Sequence, residues 1–532
     1  MKLKSLVLLL LSAAAGSGSV AAVAANSPAP LTGPEIDRLV ARTMAAFSVP
    51  GVAIGIVKDG KLVYAKGYGV RELGQAATVN ADTSFAIGSI SKAFTTAALA
   101  MLVDEGKIHW DDRVIDYLPE FRMADPFVTR EFTIRDLLTH RSGLRIGAGD
   151  LLFVTPTDFT RQDLIHALRF LKPVASFRSQ FAYDNLLYVV AGEVVAAASG
   201  QSWEDFVTAR ILAPLGMKSC AVTSSRLPDR INVAEPHVVV DGKLGRVARL
   251  EIPLVGPAGG IQCNVTGMAQ WVATQLAHGK TPNGSTLFSA EQSEEMWAAQ
   301  TPLRPRGRLA ELTRTHFSAY GLGWGLDDFD GYKRVSHNGG LPGMVTHVSL
   351  IPELDLGVVV LTNQQEGFAL ASIAMPILEA YAGAPRHDWV ASTLAAKADR
   401  TQQIHAADLA TAPEADAASG VAAQDLDAYV GTFADPWRGT ATVSGGASGL
   451  RLTFSHTNGL AGPLVPRGPG FFVVRWDDRS MNADAYVRFT RDFDGKVVGF
   501  TMKAVSASTD FSFDFQDVDF SRVPGGSVLP AK

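Results

Sequence analysis

Ser89 and Lys92 stand three residues apart at the head of a stretch in which Phe94, Ala97, Ala98, Met101 and Leu102 repeat at helical spacing. Gly106 offers that helix a left-handed stop. The spacing puts the hydroxyl and the amine on one side of the first turn, where the helix N-terminus adds partial positive charge. A lysine kept neutral there by burial and cationic surroundings can take the serine's proton and leave a nucleophile. Alone, Ser-x-x-Lys is a weak pattern, expected about once by accident in a chain this long. Ser89 alone reads equally well as a helix N-cap.

Two further motifs lie downstream. Tyr183-Asp184-Asn185 is the one Tyr-x-Asn of the chain and immediately precedes a helical pattern. His337-Asn338-Gly339-Gly340 is the one His-x-Gly and follows a strand pattern. Each has a plain structural reading, Tyr183 as a packed aromatic and His337 as the cap of a strand turn. Rival signatures are missing. Beyond the leader there is no Gly-x-Ser-x-Gly elbow. Gly279-Lys280-Thr281 ends like a phosphate loop, but Thr274 stands where its first glycine should be. No His-Glu-x-x-His or His/Cys cluster points to a metal, and the chemistry calls for no cofactor.

The elements that must position these residues follow in order. A helix is expected over 35–47, then a hairpin of 52–58 and 61–68 turned at Asp59-Gly60, then the Ser89 helix. Helices follow at 133–140, 185–199, 203–212 and 266–278, the last with Thr266 as its N-cap. Strands return at 320–326, 332–336, 344–351 and 356–362, before a helix at 368–381. Strands at both ends of a helical middle predict one sheet built from both termini of an α+β domain. Residues 383–424 read as a linker with some helix. Short alternating runs at 429–433, 440–443, 450–454, 471–476, 485–489, 497–502 and 511–515 predict a small all-β barrel or sandwich.

With 532 residues and 47% hydrophobic content the chain can bury more than one core. A net charge of −5 gives no electrostatic case for nucleic acid. Lys2, Lys4, the run Leu6–Leu11 and a small-residue tail read as a cleaved export signal over 1–25, which implies a periplasmic or secreted protein. No later stretch reads as membrane-spanning. Cys220 and Cys263 are expected to be unpaired or incidental.

The three motifs, in this order and at these separations, resemble the serine β-lactamase and penicillin-binding-protein superfamily, closest to its class C β-lactamase, D-aminopeptidase and carboxylesterase branch. Thr139-His140-Arg141-Ser142-Gly143-Leu144 and Tyr320-Gly321-Leu322-Gly323-Trp324 also match its habits. The resemblance covers about residues 35–382, and the C-terminal module is similar to lipocalin-like domains appended to some peptidases of the group. It implies a β-lactamase/transpeptidase-like domain over 26–382, an antiparallel sheet flanked by helices plus a helical subdomain, followed by a β-barrel over 425–525. It also implies roles. Ser89 would be the acylated nucleophile and Lys92 its base. Tyr183, as phenolate or phenol, would relay the proton to the leaving group, with His337 supporting it. Asn185, Gly339 and Gly340 would line the substrate and oxyanion side, the hole itself made by the Ser89 and Gly340 N–H groups. His140 and Trp324 are expected to be structural.

Histidine at 337 departs from the lysine of most β-lactamases and removes a permanent cation suited to a substrate carboxylate. Asn338 replaces a common threonine. Both changes point to peptides or esters. The first expectation is a peptidase or amidase on short peptides, including D-residue, cell-wall or linearised secondary-metabolite peptides. A carboxylesterase with incidental β-lactam turnover and a penicillin-binding sensor that is acylated without turnover are the alternatives. A homo-oligomer is left open.

Overall fold

The computed structural model describes residues 30–251, 253–411, 423–447, 449–457 and 459–524. The export signal expected at 1–25 lies outside the described residues. An eight-stranded antiparallel sheet forms the frame of the N-terminal part. Its spatial order is Lys61–Gly69, Gly51–Lys58, Leu356–Thr362, Met344–Ile351, Tyr332–Leu341, Gly325–Phe329, Ser318–Tyr320 and Thr301–Leu303. Gly51–Lys58 pairs with Leu356–Thr362, Val52 opposite Thr362, so the two ends of the domain share one sheet as the pattern predicted.

Period-two alternation decides what each face carries. Val52, Ile54 and Ile56 pack on one side with Ile36 and Val40 of helix Gly33–Phe47 and Ile373 of helix Gly367–Ala382. Ala53 and Val57 face the opposite way into the main core, where helix Val265–Leu276 lies. That helix is capped by Asn264, whose side chain accepts from the Gly267 N–H, and not by Thr266. The strand expected over 320–326 is broken, because Gly321–Trp324 forms a tight hairpin in which the Gly321 N–H donates to the Trp324 carbonyl at 2.8 Å. The helix expected over 203–212 changes from α at Trp203–Val207 to π at Thr208–Leu212.

Helix Ser91–Asp104 was expected to bury one face and instead is buried on every side from Ser91 to Leu102. Trp271 stacks on Phe94 with ring centroids 3.9 Å apart. The polar residues inside have partners: Thr95 donates to the Pro257 carbonyl (2.7 Å), Thr96 to the Lys92 carbonyl (3.1 Å), and Ser91 accepts from the Ile261 N–H (3.1 Å). A wholly buried helix is tolerable only on those terms.

Within the stretch read as a linker, helix Trp389–Thr411 packs its first turns on the domain. Trp389 is buried and donates to Glu379 at 2.6 Å. Beyond it an eight-stranded barrel closes in simple sequence order: Gly431–Asp435, Gly439–Gly446, Gly449–Phe454, Ala461–Gly468, Phe471–Val474, Ala485–Arg491, Val497–Ala504 and Asp519–Arg522. Residues 511–515 are not a strand, and the closing strand comes later. Ala461–Gly468 was not anticipated, because its glycines and prolines hide the alternation. Rings fill the barrel, among them Phe433, Phe454, Phe472, Phe489, Phe500 and Phe520, with Phe500 and Phe520 stacked at 4.7 Å.

Cys220 and Cys263 correct the expectation made of them: they are joined in a disulfide across 43 residues. The bond ties the 217–222 loop to the short strand Gln262–Cys263, which pairs with Phe85–Ala86 just before Ser89. Replacing both cysteines by serine should lower unfolding stability by about 2–4 kcal/mol, since closing a loop of this length restricts the unfolded chain. Denaturant unfolding of the variant against oxidised wild type measures the difference.

Candidate active site

Ser89 sits in a single 3-10 turn, Gly88–Ile90, ahead of helix Ser91–Asp104 and does not cap it. The turn is held from both sides. The Ile87 N–H donates to the Ile261 carbonyl at 2.9 Å, and Thr346 Oγ1 donates to the Ile87 carbonyl at 2.9 Å. Strand Tyr332–Leu341 lies against it so closely that a Cβ on Gly339 would stand 1.9 Å from the Ile87 carbonyl oxygen, and one on Gly88 2.6 Å from the Gly340 nitrogen. Only glycine fits at either place. Gly88 also has φ +53°. Residues 337–341 run past strand Gly325–Phe329, which pairs with this strand over 332–336 alone, so among the described residues no strand covers that edge next to Ser89.

Lys92 is wholly buried. Its Nζ lies 3.1 Å from Ser89 Oγ and donates to Asn185 Oδ1 at 2.6 Å and to the Ala258 carbonyl at 2.9 Å. A neutral amine has two N–H groups, and those two acceptors use both, which turns its lone pair to Ser89. Burial pulls Lys92 down to about 7, with Asp150 and Asp184 drawing it back up. The rings of Tyr183 and Tyr188 face the nitrogen with centroids 4.7 and 5.2 Å away.

Tyr183 precedes helix Leu186–Ser199, and Asn185 stands at its N-cap position with no cap bond from its side chain. The Asn185 amide is committed inward, Oδ1 to Lys92 and Nδ2 to Asp150 Oδ2 at 2.7 Å, which leaves one N–H for a substrate. Burial pushes the Tyr183 phenol well above its ordinary value, although the Ser89 hydroxyl beside it acts the other way. Of the two expected forms, the phenol is the one this environment supports.

His337 meets a different partner from the one expected. Its Nδ1–H donates to the Asn338 carbonyl at 2.6 Å, so Nε2 accepts from the Tyr320 hydroxyl at 3.0 Å. Its ring centroid is 6.4 Å from that of Tyr183. Burial first, then Lys92, hold His337 down to about 3, so it is neutral at neutral pH. His140, held at φ +53°, accepts the Asp184 N–H on Nδ1 at 3.1 Å and lies 4.2 Å, ring to ring, from Tyr183. It braces the Tyr183–Asp184 backbone. Trp324 is buried.

The structure therefore brings Ser89, Lys92, Tyr183, Asn185, His337, Gly339 and Gly340 to one place. It adds Tyr320, the Ala258 carbonyl and Asp150, none of which the sequence reading picked out as working residues. Tyr320 did belong to a quoted phrase. Asp150 carries no local motif at all. Among the described residues no group of three or more His, Cys, Asp or Glu could hold a metal ion, and no helix is long and apolar enough to cross a membrane.

A β-lactamase family model matches residues 36–382, nearly two thirds of the chain. The chain belongs to the β-lactamase family. That family comprises β-lactamase and penicillin-binding-protein-like serine hydrolases, and a second model, a domain of unknown function, matches 415–522. A hydrolase of unguisins from Aspergillus violaceofuscus is 28% identical over 403 residues, 68% of this chain and 68% of that protein. Its counterpart from Aspergillus campestris is 29% identical over 61% of this chain and 60% of its own length. Penicillin-binding protein 4 of Amycolatopsis lactamdurans is 31% identical over 59% of this chain and 81% of its own. Among solved structures, the octameric penicillin-binding protein homologue from Pyrococcus abyssi shares the fold. It has a TM-score of 0.59 and 22% identity, and the match covers 92% of this chain and all of that one. Sheet, helices and closed C-terminal barrel thus bear out the architecture expected of a β-lactamase-like domain followed by a small barrel.

The role expected of Lys92 as base for Ser89 calls for its neutral form, whose fraction grows as pH rises through about 7. The rate of Ser89 acylation should therefore climb nearly tenfold per unit at low pH and level off above about pH 8. His337, held near 3, should add no second limb in that range. Burst kinetics with a chromogenic ester across pH will read both.

Proposed function

We propose that the protein is an exported serine hydrolase that forms an acyl-enzyme on Ser89 and acts on short peptides or related amides. The observation that carries this reading is the buried Lys92 Nζ 3.1 Å from Ser89 Oγ, with Asn185 Oδ1 and the Ala258 carbonyl as acceptors for the two N–H groups of its neutral form. In the reaction Lys92 takes the Ser89 proton as Oγ bonds to the substrate carbonyl carbon. The oxyanion is met by the N–H groups of Ser89 and Gly340. Tyr183, as a neutral phenol, passes a proton to the leaving nitrogen as the carbon–nitrogen bond breaks, and its own proton is replaced from the Lys92 ammonium. Water then repeats the attack on the ester, with Lys92 again the base.

Three features support peptides. The uncovered edge of 337–341 can pair with an extended backbone. The neutral His337 offers no permanent cation for a carboxylate, which fits internal or capped amides and simple esters better than acidic antibiotics. Phe511 of the barrel stands edge-on to Tyr183, centroids 5.8 Å apart, and narrows the approach. The Cys220–Cys263 disulfide suits export to an oxidising compartment. The hydrolase and penicillin-binding names of the relatives favour acyl-enzyme chemistry of this kind. Carboxylesterase is the second reading, favoured by the same neutral His337.

Wild type, Ser89→Ala and Lys92→Ala mixed with panels of short peptides and matched esters and followed by intact mass and product release will test the reading. Wild type should turn over many equivalents of peptide, Ser89→Ala none, and Lys92→Ala should lose about a hundredfold to ten-thousandfold in kcat/KM. Ester turnover without peptide turnover would select the esterase. A lasting adduct on Ser89 without turnover would select a sensor, and an active Ser89→Ala would end the proposal.

A further inference from the structure

The barrel sends a loop against the hydrolase domain that meets the Tyr183 ring through Phe511 and Asp150 through Ser512. The carboxylate of Asp514 accepts the N–H groups of Gly149 and Leu151, both at 2.8 Å, and so grips the backbone on either side of Asp150. Gly147 passes so near the loop that a Cβ there would lie 2.5 Å from the Phe511 carbonyl oxygen, and its N–H donates to the Tyr183 carbonyl at 2.8 Å. Ser512 Oγ donates to Asp150 Oδ2 at 2.7 Å, the same oxygen that accepts from Asn185. Asp150 is fully buried, and among the described residues its Oδ1 has no hydrogen-bond partner. An unbroken chain of hydrogen bonds thus runs from Ser512 through Asp150 and Asn185 to Lys92 and Ser89.

We infer that Asp150, seated by the 511–514 loop of the barrel, is a positioning residue that fixes the Asn185 amide and sets the proton affinity of Lys92. This rests on the hydrolase reading of Ser89 and Lys92. The amide of Asn185 can present its oxygen to Lys92 only if its nitrogen has an acceptor on the far side, and Asp150 is that acceptor. A flipped Asn185 would turn N–H groups on the amine and remove one of the two acceptors that orient its lone pair. Asp150 also places the negative charge that most favours the ammonium form of Lys92, ahead of Asp184. Burial in turn pushes Asp150 up to about 7, against its bonds from Asn185 and Ser512, so Lys92 and Asp150 titrate as a coupled pair. The other groups facing the pair are His140 and His337, both held neutral, the Tyr183 and Tyr188 phenols, both raised by burial, and the carboxyls of Asp184, Asp510 and Asp514. Burial keeps Asp184 and Asp514 well above the usual carboxylate range.

The signs follow. Asp150→Asn keeps an oxygen for Asn185 and Ser512 and removes the charge, so the ammonium of Lys92 loses support. Ser512→Ala leaves the charge but removes a bond that favours it, and acts in the same direction more weakly. With p-nitrophenyl acetate as probe, the acidic limb of kcat/KM should move down by about one pH unit in Asp150→Asn. It should move by a smaller step the same way in Ser512→Ala, a barrel substitution with little effect on the thermal midpoint. If Asp150→Asn does not fold, the direction of the Ser512→Ala shift decides. A wild-type limb in the folded variants, whatever happens to kcat, overturns the inference. A Ser89→Ala protein that hydrolyses the ester at the wild-type rate would instead overturn the hydrolase reading, and the two failures are distinct.

Discussion

Keeping an amine out of water is the condition on which this structure turns. In solvent Lys92 would be an ammonium and useless as a base; buried, it is held down to about 7. Burial alone is not enough, because an unpartnered N–H in a dry site costs about 1–3 kcal/mol. The two acceptors that meet the amine come from places 93 and 166 residues away in sequence, Asn185 and Ala258. Helix Leu186–Ser199 and the turn Gly256–Gly259 must therefore pack directly on helix Ser91–Asp104, which explains why that helix has no exposed face through Leu102. The apolar interior follows from the chemistry as much as the chemistry from the interior.

A second condition is closeness. The strand carrying His337 lies hard against the Ser89 turn, and backbone can approach backbone this nearly only where no Cβ intervenes. Gly88 and Gly339 supply that gap from opposite sides. The short pairing of Phe85–Ala86 with Gln262–Cys263, and the disulfide behind it, hold the approach in register. The Ser89 turn is thus fixed from both sides while its hydroxyl lies against Lys92 and Tyr183.

What the sequence made legible was local. Ser89 and Lys92 share a helical turn, the strands alternate, and Tyr183 and His337 stand beside periodic elements, so spacing alone could point to them. What escaped it depends on contacts between distant segments. Tyr320 meets His337 across a hairpin, Asp150 meets Asn185 across 35 residues, and Ser512 meets Asp150 across 362. No local pattern records such meetings, and the same holds for Cys220 and Cys263. Residues 511–515 are the instructive case. The alternation Phe-Ser-Phe-Asp-Phe is real and reads as a strand, yet no strand pairs with it in the barrel. Phe515 is buried in the barrel, and Ser512 and Asp514 reach the other way to the 149–151 backbone. Period two here marks a loop with two docked faces.

That geometry also bears on why a barrel is present at all. A barrel that carried a ligand would need an empty centre, and this one is closed with rings from Phe433 to Phe520. A filled aromatic core makes a stiff mount, because edge-to-face and stacked rings interlock and resist sliding. Stiffness is what a positioning loop needs, since an error of about 1 Å in an acceptor is enough to spoil a hydrogen-bonded catalytic array. The barrel meets the hydrolase domain again at Asp158 with His456 and at Thr157 with Thr457, so the loop is not its only anchorage. Several attachments on one rigid body fix orientation as well as distance. The barrel is therefore better understood as an outer layer of the candidate site, added in sequence after the hydrolase domain and reaching, through one of its several attachments, the carboxylate that meets the lysine through Asn185.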